Sequence, residues 1–229
     1  MSSKQELSIV QGDYRRSRIE QLTDLVKDGL NPYPHFFKHQ NPIKSLLHYN
    51  DSINPGERMV DINVTSVGRV MLKRWSGKKL LFYTVESDDV SIQIISDKRL
   101  YTNTSMTFKK THTLIRRGDV IGIIGFMGKS KRGELSIFAN DIVLLSPCLH
   151  MLPKEHSGLV NIDTRTNQRY LDLILNKKTR QTFRTRSKII SYIRRFLDER
   201  DFMEVETPIL DIKHGGATAK PFTTYHNGM

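Results

Sequence analysis

Between residues 60 and 146 the chain alternates apolar and polar positions in short runs, separated by basic, glycine-bearing turns. In residues 60–75 the apolar positions are Val60, Ile62 and Val64, then Val67, Val70 and Leu72. A period of two over this length predicts one long half-buried strand, and Gly68 is placed to bend it. After a Ser76-Gly77-Lys78 turn come Leu80–Val85 and Val90–Ile95, separated by the polar cluster Glu86-Ser87-Asp88-Asp89. Residues 104–116 predict a short helix, and 119–126 form a compact apolar run broken by Gly122. A basic turn from Gly128 to Gly133 leads to a last strand, Leu135–Leu145.

Five strands, a helix between the third and fourth, and glycine where a small sheet must curve predict a five-stranded OB-fold barrel over residues 59–148. Residues 1–58 are expected to be a helical and loop extension. Within it, Tyr14, Ile19, Leu22, Leu25 and Val26 recur at helical spacing over 12–28, with Asp13 and Gly12 at the start and Gly29 at the stop. Arg15, Arg16 and Arg18 are expected on the opposite face, either simply solvated or in contact with phosphate. Asn31-Pro32-Tyr33-Pro34 forces an extended connection. Beyond the barrel, 149–168 reads as a linker and 169–229 as the start of a second, α/β domain, so the fold class is mainly β plus α/β. Residues 179–200 predict a long amphipathic helix whose stripe of Phe183, Ile189, Ile190, Ile193, Phe196 and Leu197 is wide enough to pack on two partners. Asp201 is placed to stop it in the left-handed conformation. A strand over Phe202–Glu206, ended by Pro208, and a Gly215-Gly216-Ala217 turn are expected next.

The net charge of +12 in 229 residues, with a pI near 9.8, favours a polyanionic partner. Without a basic amphipathic anchor helix, nucleic acid is favoured over membrane, and no apolar run approaches the ~20 residues that span a bilayer. The N-terminal stretch has no secretory pattern, so a cytoplasmic location is expected. Cys148 is the single cysteine, and His150 and His156 lack acidic or cysteine companions, so no metal site is expected. On the barrel, Phe82 can stack on a splayed base and the Gln93 amide can pair with a base edge. Arg74 can stack or hold phosphate, and Glu134 can accept from a base N–H. Each also has a plainer reading: Phe82 as a core side chain, Glu134 as a solvated carboxylate.

The long helix, then Phe-Met-Glu-Val-Glu-Thr-Pro (202–208), then Gly-Gly-Ala resembles motif 1 of a class II aminoacyl-tRNA synthetase, a helix and strand closed by a proline, here Pro208. The stretches QRYLDLILN (168–176), RSKIISYIRRFLDERDFMEVETPIL (186–210) and GGATAKPFTTYHN (215–227) narrow the resemblance. With GRVMLKR (68–74), GELSI (133–137) and LLSPCLHMLP (144–153), the chain from about Tyr14 is similar to the lysyl-tRNA synthetases. The resemblance implies a lysine–tRNA ligase, represented by its anticodon-binding part and an incomplete catalytic domain. It implies that Phe82, Gln93 and Glu134, assisted by Arg74, recognise the central uracil of the anticodon of a lysine-accepting tRNA.

Further implications concern the second domain. Gly216 would lie at the lysine pocket. Ile189, Ile193, Phe196 and Pro208 would lie in a homodimer interface. ATP and magnesium would serve the complete enzyme. Motifs 2 and 3 and the magnesium carboxylates of the family have no counterpart in these residues. None of those cofactors is therefore expected to bind this chain alone, and the chain alone is expected to be inactive. One departure is Asp201, where the family usually has glycine before the motif 1 strand. Two alternatives stand beside this reading: an aspartyl- or asparaginyl-tRNA synthetase, and a non-catalytic, truncated tRNA-binding product.

Overall fold

A computed structural model describes residues 3–153, 158–208, 220 and 222–225, with side chains from residue 12 onward. The described chain forms two compact units, divided between Leu175 and Asn176.

The first unit is built on a closed barrel. Its strands are β1 (Arg58–Trp75), β2 (Leu80–Ser87), β3 (Val90–Asp97), β4 (Val120–Lys129) and β5 (Leu135–Ser146). They follow the order β1-β2-β3-β5-β4, and β4 pairs back with β1. All pairs are antiparallel except β3 with β5. β1 is long because it serves two neighbours: Arg58–Arg69 lie along β4, and Arg69–Trp75 lie along β2. Register shifts at Met59/Asn63 and Val70/Leu72 give it the curvature that closure demands. In β1 the alternation read from the sequence is only partly the inside-outside alternation of the barrel: the inward positions are Val64, Ser66, Gly68 and Val70, whereas Val60 and Leu72 are exposed and Ile62 and Val67 half-buried. Val64, Val70, Leu81, Val85, Ile94, Ile121, Ile123 and Ile137 all point inward and are essentially inaccessible.

Two local features show why these residues give these turns. The β2–β3 hairpin turns at Asp88 and Asp89, with φ of 50° and 68°. Positive φ at both central residues gives the twist a tight hairpin needs, and aspartate is among the few side chains that tolerate it. Gly122 in β4 lies under the ring of Phe37, where a Cβ would come within 2.6 Å of the ring carbons. The glycine therefore gives the ring its seat on the strand. α3 (Phe108–Leu114) bridges β3 and β4, shorter than the expected 104–116, and is capped by the Thr107 side chain, which accepts from the Lys110 N–H.

α1 (Ser3–Lys27) begins well before the Gly12-Asp13 start expected from the sequence, because one glycine costs a helix only about 1 kcal/mol. Its barrel face is only partly the expected one. Leu22 and Leu25 join the core, but Ile19 and Val26 are exposed. Arg18, expected on the outer face with Arg15 and Arg16, is fully buried. Its guanidinium meets the Asp119 carboxylate at 2.6 Å and donates to the Leu114 carbonyl and to Gln21. Asp119 also accepts from the backbone N–H groups of Arg116 and Cys148. The charge enters the core with an opposite charge and two neutral acceptors around its terminal nitrogens, while its Nε–H is left without a hydrogen-bond partner. α2 (Ile43–Leu46) and a following 3₁₀ turn (Leu47–Asn50) plug the end of the barrel with Ile43 and Leu46. The stretch read as linker contains α4 (Ile162–Asn167), followed by α5 (Arg169–Leu175). Asp172 of α5 is buried and held by Arg165 and Arg169.

The second unit is led by α6 (Lys177–Asp198). Asp201 stops it with φ of 60°, as expected, and the Phe202 N–H returns to the Leu197 carbonyl. Residues 202–208 form no regular secondary structure, which corrects the strand expected over Phe202–Glu206. A strand exists by bonding to a neighbour, and none lies beside it among the described residues.

Candidate nucleic-acid interface

A groove of about 660 Å³ crosses the barrel over β1, β2, β3 and β5 and the 129–134 turn. Strand register builds it. Arg74 of β1 stands opposite Phe82 of β2, Thr84 of β2 opposite Gln93 of β3, and Gln93 lies beside Ser136 of β5. The period-two pleat then turns Arg74, Phe82 and Gln93 to the same face, with Glu134 at the mouth of β5. All four side chains singled out in the sequence line this one groove.

Phe82 reconciles its two readings. One side packs against a small outer cluster built on Ile95, Phe126 and Phe138, while the ring remains half-exposed beneath the Arg74 guanidinium, 5.4 Å from its centroid. A ring anchored this way gives a base a flat surface with little ordering cost. Gln93 is held at both ends: Nε2 donates to Glu134 Oε2 at 2.5 Å, and Oε1 accepts from Ser136 Oγ at 3.0 Å.

The groove also contains residues that sequence reasoning missed. Arg58 lies over the Phe138 ring at 4.5 Å, and Phe138 is stacked on Phe126 with an interplanar angle of 6°. Arg99, exposed at the rim, is fixed by a two-pronged contact with Asp97, which it holds below the ordinary carboxylate range. Lys131 and Arg132 complete a cationic lip. The Asp-x-Arg spacing was the only sequence sign of the Arg99 clamp. Trp75 closes one end, edge-on to His112 beneath it.

His112 is the buried pivot of the wall behind Trp75. Its Nδ1 meets the Tyr83 hydroxyl at 2.6 Å and its Nε2 the Ser96 hydroxyl at 2.9 Å. Burial first, and the nearby Lys73 ammonium second, push its pKa down to about 3. Lys73 itself is pushed down to about 8, chiefly by burial, while its ammonium donates to the His112 and Ile115 carbonyls.

In the second unit, Ile189, Ile193 and Phe196 of α6 are 54%, 50% and 40% exposed, and Pro208 is exposed too. The residues expected to meet a partner are thus on the surface of this unit. With Phe202 and Met203 the helix lines a hollow of about 610 Å³, and Arg194 pairs with Glu204 across it. Gly216 lies outside the described residues. Among the described residues no cluster of three or more His, Cys, Asp or Glu is placed to hold a metal ion. No described helix is long and apolar enough to cross a membrane.

Residues 64–145 match the family of OB-fold nucleic acid binding domains, and residues 161–229 match the class II tRNA synthetases (D, K and N). Lysine–tRNA ligase cla4 of Cladosporium cladosporioides is 45% identical over 222 residues, covering 95% of this chain and 36% of that protein. A probable cytoplasmic lysine–tRNA ligase of Encephalitozoon cuniculi (strain GB-M1) is 36% identical, covering 98% of this chain and 42% of its own length. A lysine–tRNA ligase of Prochlorococcus marinus (strain MIT 9215) is 38% identical, with 95% and 43% covered. The chain spans about two fifths of the length of the curated relatives it matches.

Proposed function

We propose, for a chain that belongs to the class II tRNA synthetases of the D, K and N group, that it is the tRNA-selecting part of a lysine–tRNA ligase, joined to the opening of the catalytic domain. One observation carries the reading: Arg74, Phe82, Gln93 and Glu134 converge in a single cationic groove of a nucleic-acid-binding barrel. In this reading residues 59–148 grip the anticodon and 149–168 connect them to the segment from 169 onward. Phe82 stacks on the central base of the loop. The Gln93 amide and the Glu134 carboxylate address its edge, while Arg58, Arg99, Lys131 and Arg132 take the flanking phosphates.

The complete enzyme would use ATP and magnesium to activate lysine in the cytoplasm. It would dimerise through the exposed apolar face of α6 with Pro208, and Gly216 would border the amino acid. A face carrying Ile189, Ile193 and Phe196 in the open is suited to a second copy, since contiguous apolar surface of this kind marks an interaction site.

The test is a titration of the chain against anticodon stem-loops UUU, GUC and GUU. Preference for UUU supports the lysine reading. Equal binding to all three would leave the aspartate and asparagine ligases in contention, because they share the central uracil. No binding to any would remove the groove from RNA recognition. Phe82→Ala is expected to weaken UUU binding by about 1–3 kcal/mol, and unchanged affinity would exclude the stack. Affinity should also fall steeply as salt rises from low to physiological levels, because bound phosphates release counterions. A flat salt response would mean that the cationic lip contacts no phosphate.

A further inference from the structure

A carboxylate is out of place in a groove that receives a polyanion, yet Asp97, at the end of β3, lines this one and is buried. Its side chain is 9% exposed, while that of its partner Arg99 is 80% exposed. The contact between them is a fork. Arg99 Nε donates to both carboxylate oxygens at 3.1 Å, Nη2 donates to Oδ2 at 2.5 Å, and the Arg99 backbone N–H donates to Oδ1 at 3.0 Å. The turn is closed as well by the Leu100 N–H, which donates to the Asp97 carbonyl at 2.9 Å. A guanidinium carries five N–H donors along two usable edges. Asp97 occupies the Nε–Nη2 edge, and the Nη1–Nη2 edge meets no acceptor among the described residues. That second edge presents the parallel pair of N–H groups that matches two oxygens of a phosphate.

We propose that Asp97 is a positioning residue for RNA binding: it holds Arg99 by one edge so that the other edge grips a phosphate of the bound loop. The inference rests on the reading of this groove as an RNA site given above. An untethered arginine at a rim loses its rotamer freedom when it binds, whereas one already held has lost most of it on folding. The repulsion between the carboxylate and the phosphate is muted, because Arg99 neutralises Asp97 directly and Arg58 acts on it through space. A negative residue therefore strengthens the binding of a negative ligand. Net charge alone predicts the opposite sign.

The experiment measures dissociation constants of the whole chain for the UUU stem-loop in the wild type, Asp97→Asn, Arg99→Ala, the double variant and Arg99→Lys. Asp97→Asn keeps the shape and removes one negative charge, and it is expected to weaken binding about three- to tenfold, the cost of immobilising one long side chain. In the Arg99→Ala background the same substitution should leave binding unchanged or strengthen it, because only a repulsive charge is then removed. A merely structural role for Asp97 would weaken both backgrounds by the same factor, and that result would overturn the proposal. Unchanged or tighter binding by Asp97→Asn alone would overturn it too. Arg99→Ala should itself weaken binding and make the salt dependence shallower by about one phosphate contact. Arg99→Lys keeps the charge but has no second edge, so it should bind at least about threefold more weakly than the wild type, and wild-type affinity there would count against the fork. Position 99 is exposed, so this variant decides the matter even if Asp97→Asn fails to fold. A wild type that binds no stem-loop would sink the RNA reading of the groove, and the proposal with it, whereas the variants test the pair alone.

Discussion

Arg18→Ala is expected to cost about 3–5 kcal/mol of folding stability, a large share of what holds a domain of this size together. The guanidinium and the Asp119 carboxylate are both fully buried, 2.6 Å apart. Removing the arginine leaves a carboxylate in the interior with two backbone N–H donors and without its ion-pair partner, the Lys73 ammonium acting on it only through space. Burial already pushes the Asp119 pKa above the ordinary carboxylate range, against the pull of Arg18 and those two donors. Without Arg18 the group would resist ionisation further. Asp119→Ala should be at least as damaging, because it strands the guanidinium and also orphans the Arg116 and Cys148 N–H groups. Urea unfolding at neutral pH measures both. A loss below about 1 kcal/mol for Arg18→Ala would mean that water reaches the pair and that it acts like a surface bridge.

The second large effect is acid destabilisation through His112. The imidazole is fully enclosed, and each ring nitrogen is committed to a hydroxyl. Its folded pKa, about 3, lies far below the ordinary 6.5 of an unfolded chain. Between those values the unfolded state binds a proton that the folded state refuses, so stability is complete above pH 6.5 and declines as pH falls through that window. From pH 7 to pH 5 the loss attributable to this residue is about 2 kcal/mol. Urea midpoints at the two pH values should show it, and the pH dependence should flatten in His112→Gln, whatever that variant's stability at pH 7. An equally steep dependence in the variant would assign the effect to other groups. Because Trp75 packs edge-on to His112 at 6.2 Å, its fluorescence reports on the same site.

The barrel was legible because each strand has one face in the core, so burial writes a period of two into Leu81, Tyr83 and Val85; in β1 it does so only over Val64–Val70, where two of the inward positions are Ser66 and Gly68. The groove was legible only where a residue type was unusual for its place, as with Gln93 on a buried strand. Phe138 was hidden inside the apolar run Leu135–Leu145, and Arg58 at a strand start looks like any solubilising charge. Arg18 was misread because helical periodicity knows the near neighbours of a side chain and not its partner 101 residues away. The strand expected over Phe202–Glu206 failed for a related reason. Alternation states a preference for pleated backbone, but pairing requires a neighbour the sequence cannot supply locally.

That 101-residue separation also bears on the order in which the molecule is made. The helix carrying Arg18 leaves the ribosome well before the carboxylate that receives it, which arrives at the threshold of the fourth strand. Closure of the ring waits for the same moment, since β1 must pair with β4 across an interval from Arg58 to Gly128. Joining such distant segments is slow compared with forming a local hairpin such as β2–β3. The nascent chain therefore holds a finished hairpin and an undocked cationic helix until β4 emerges, and the ion pair then fastens this earlier segment to a much later one.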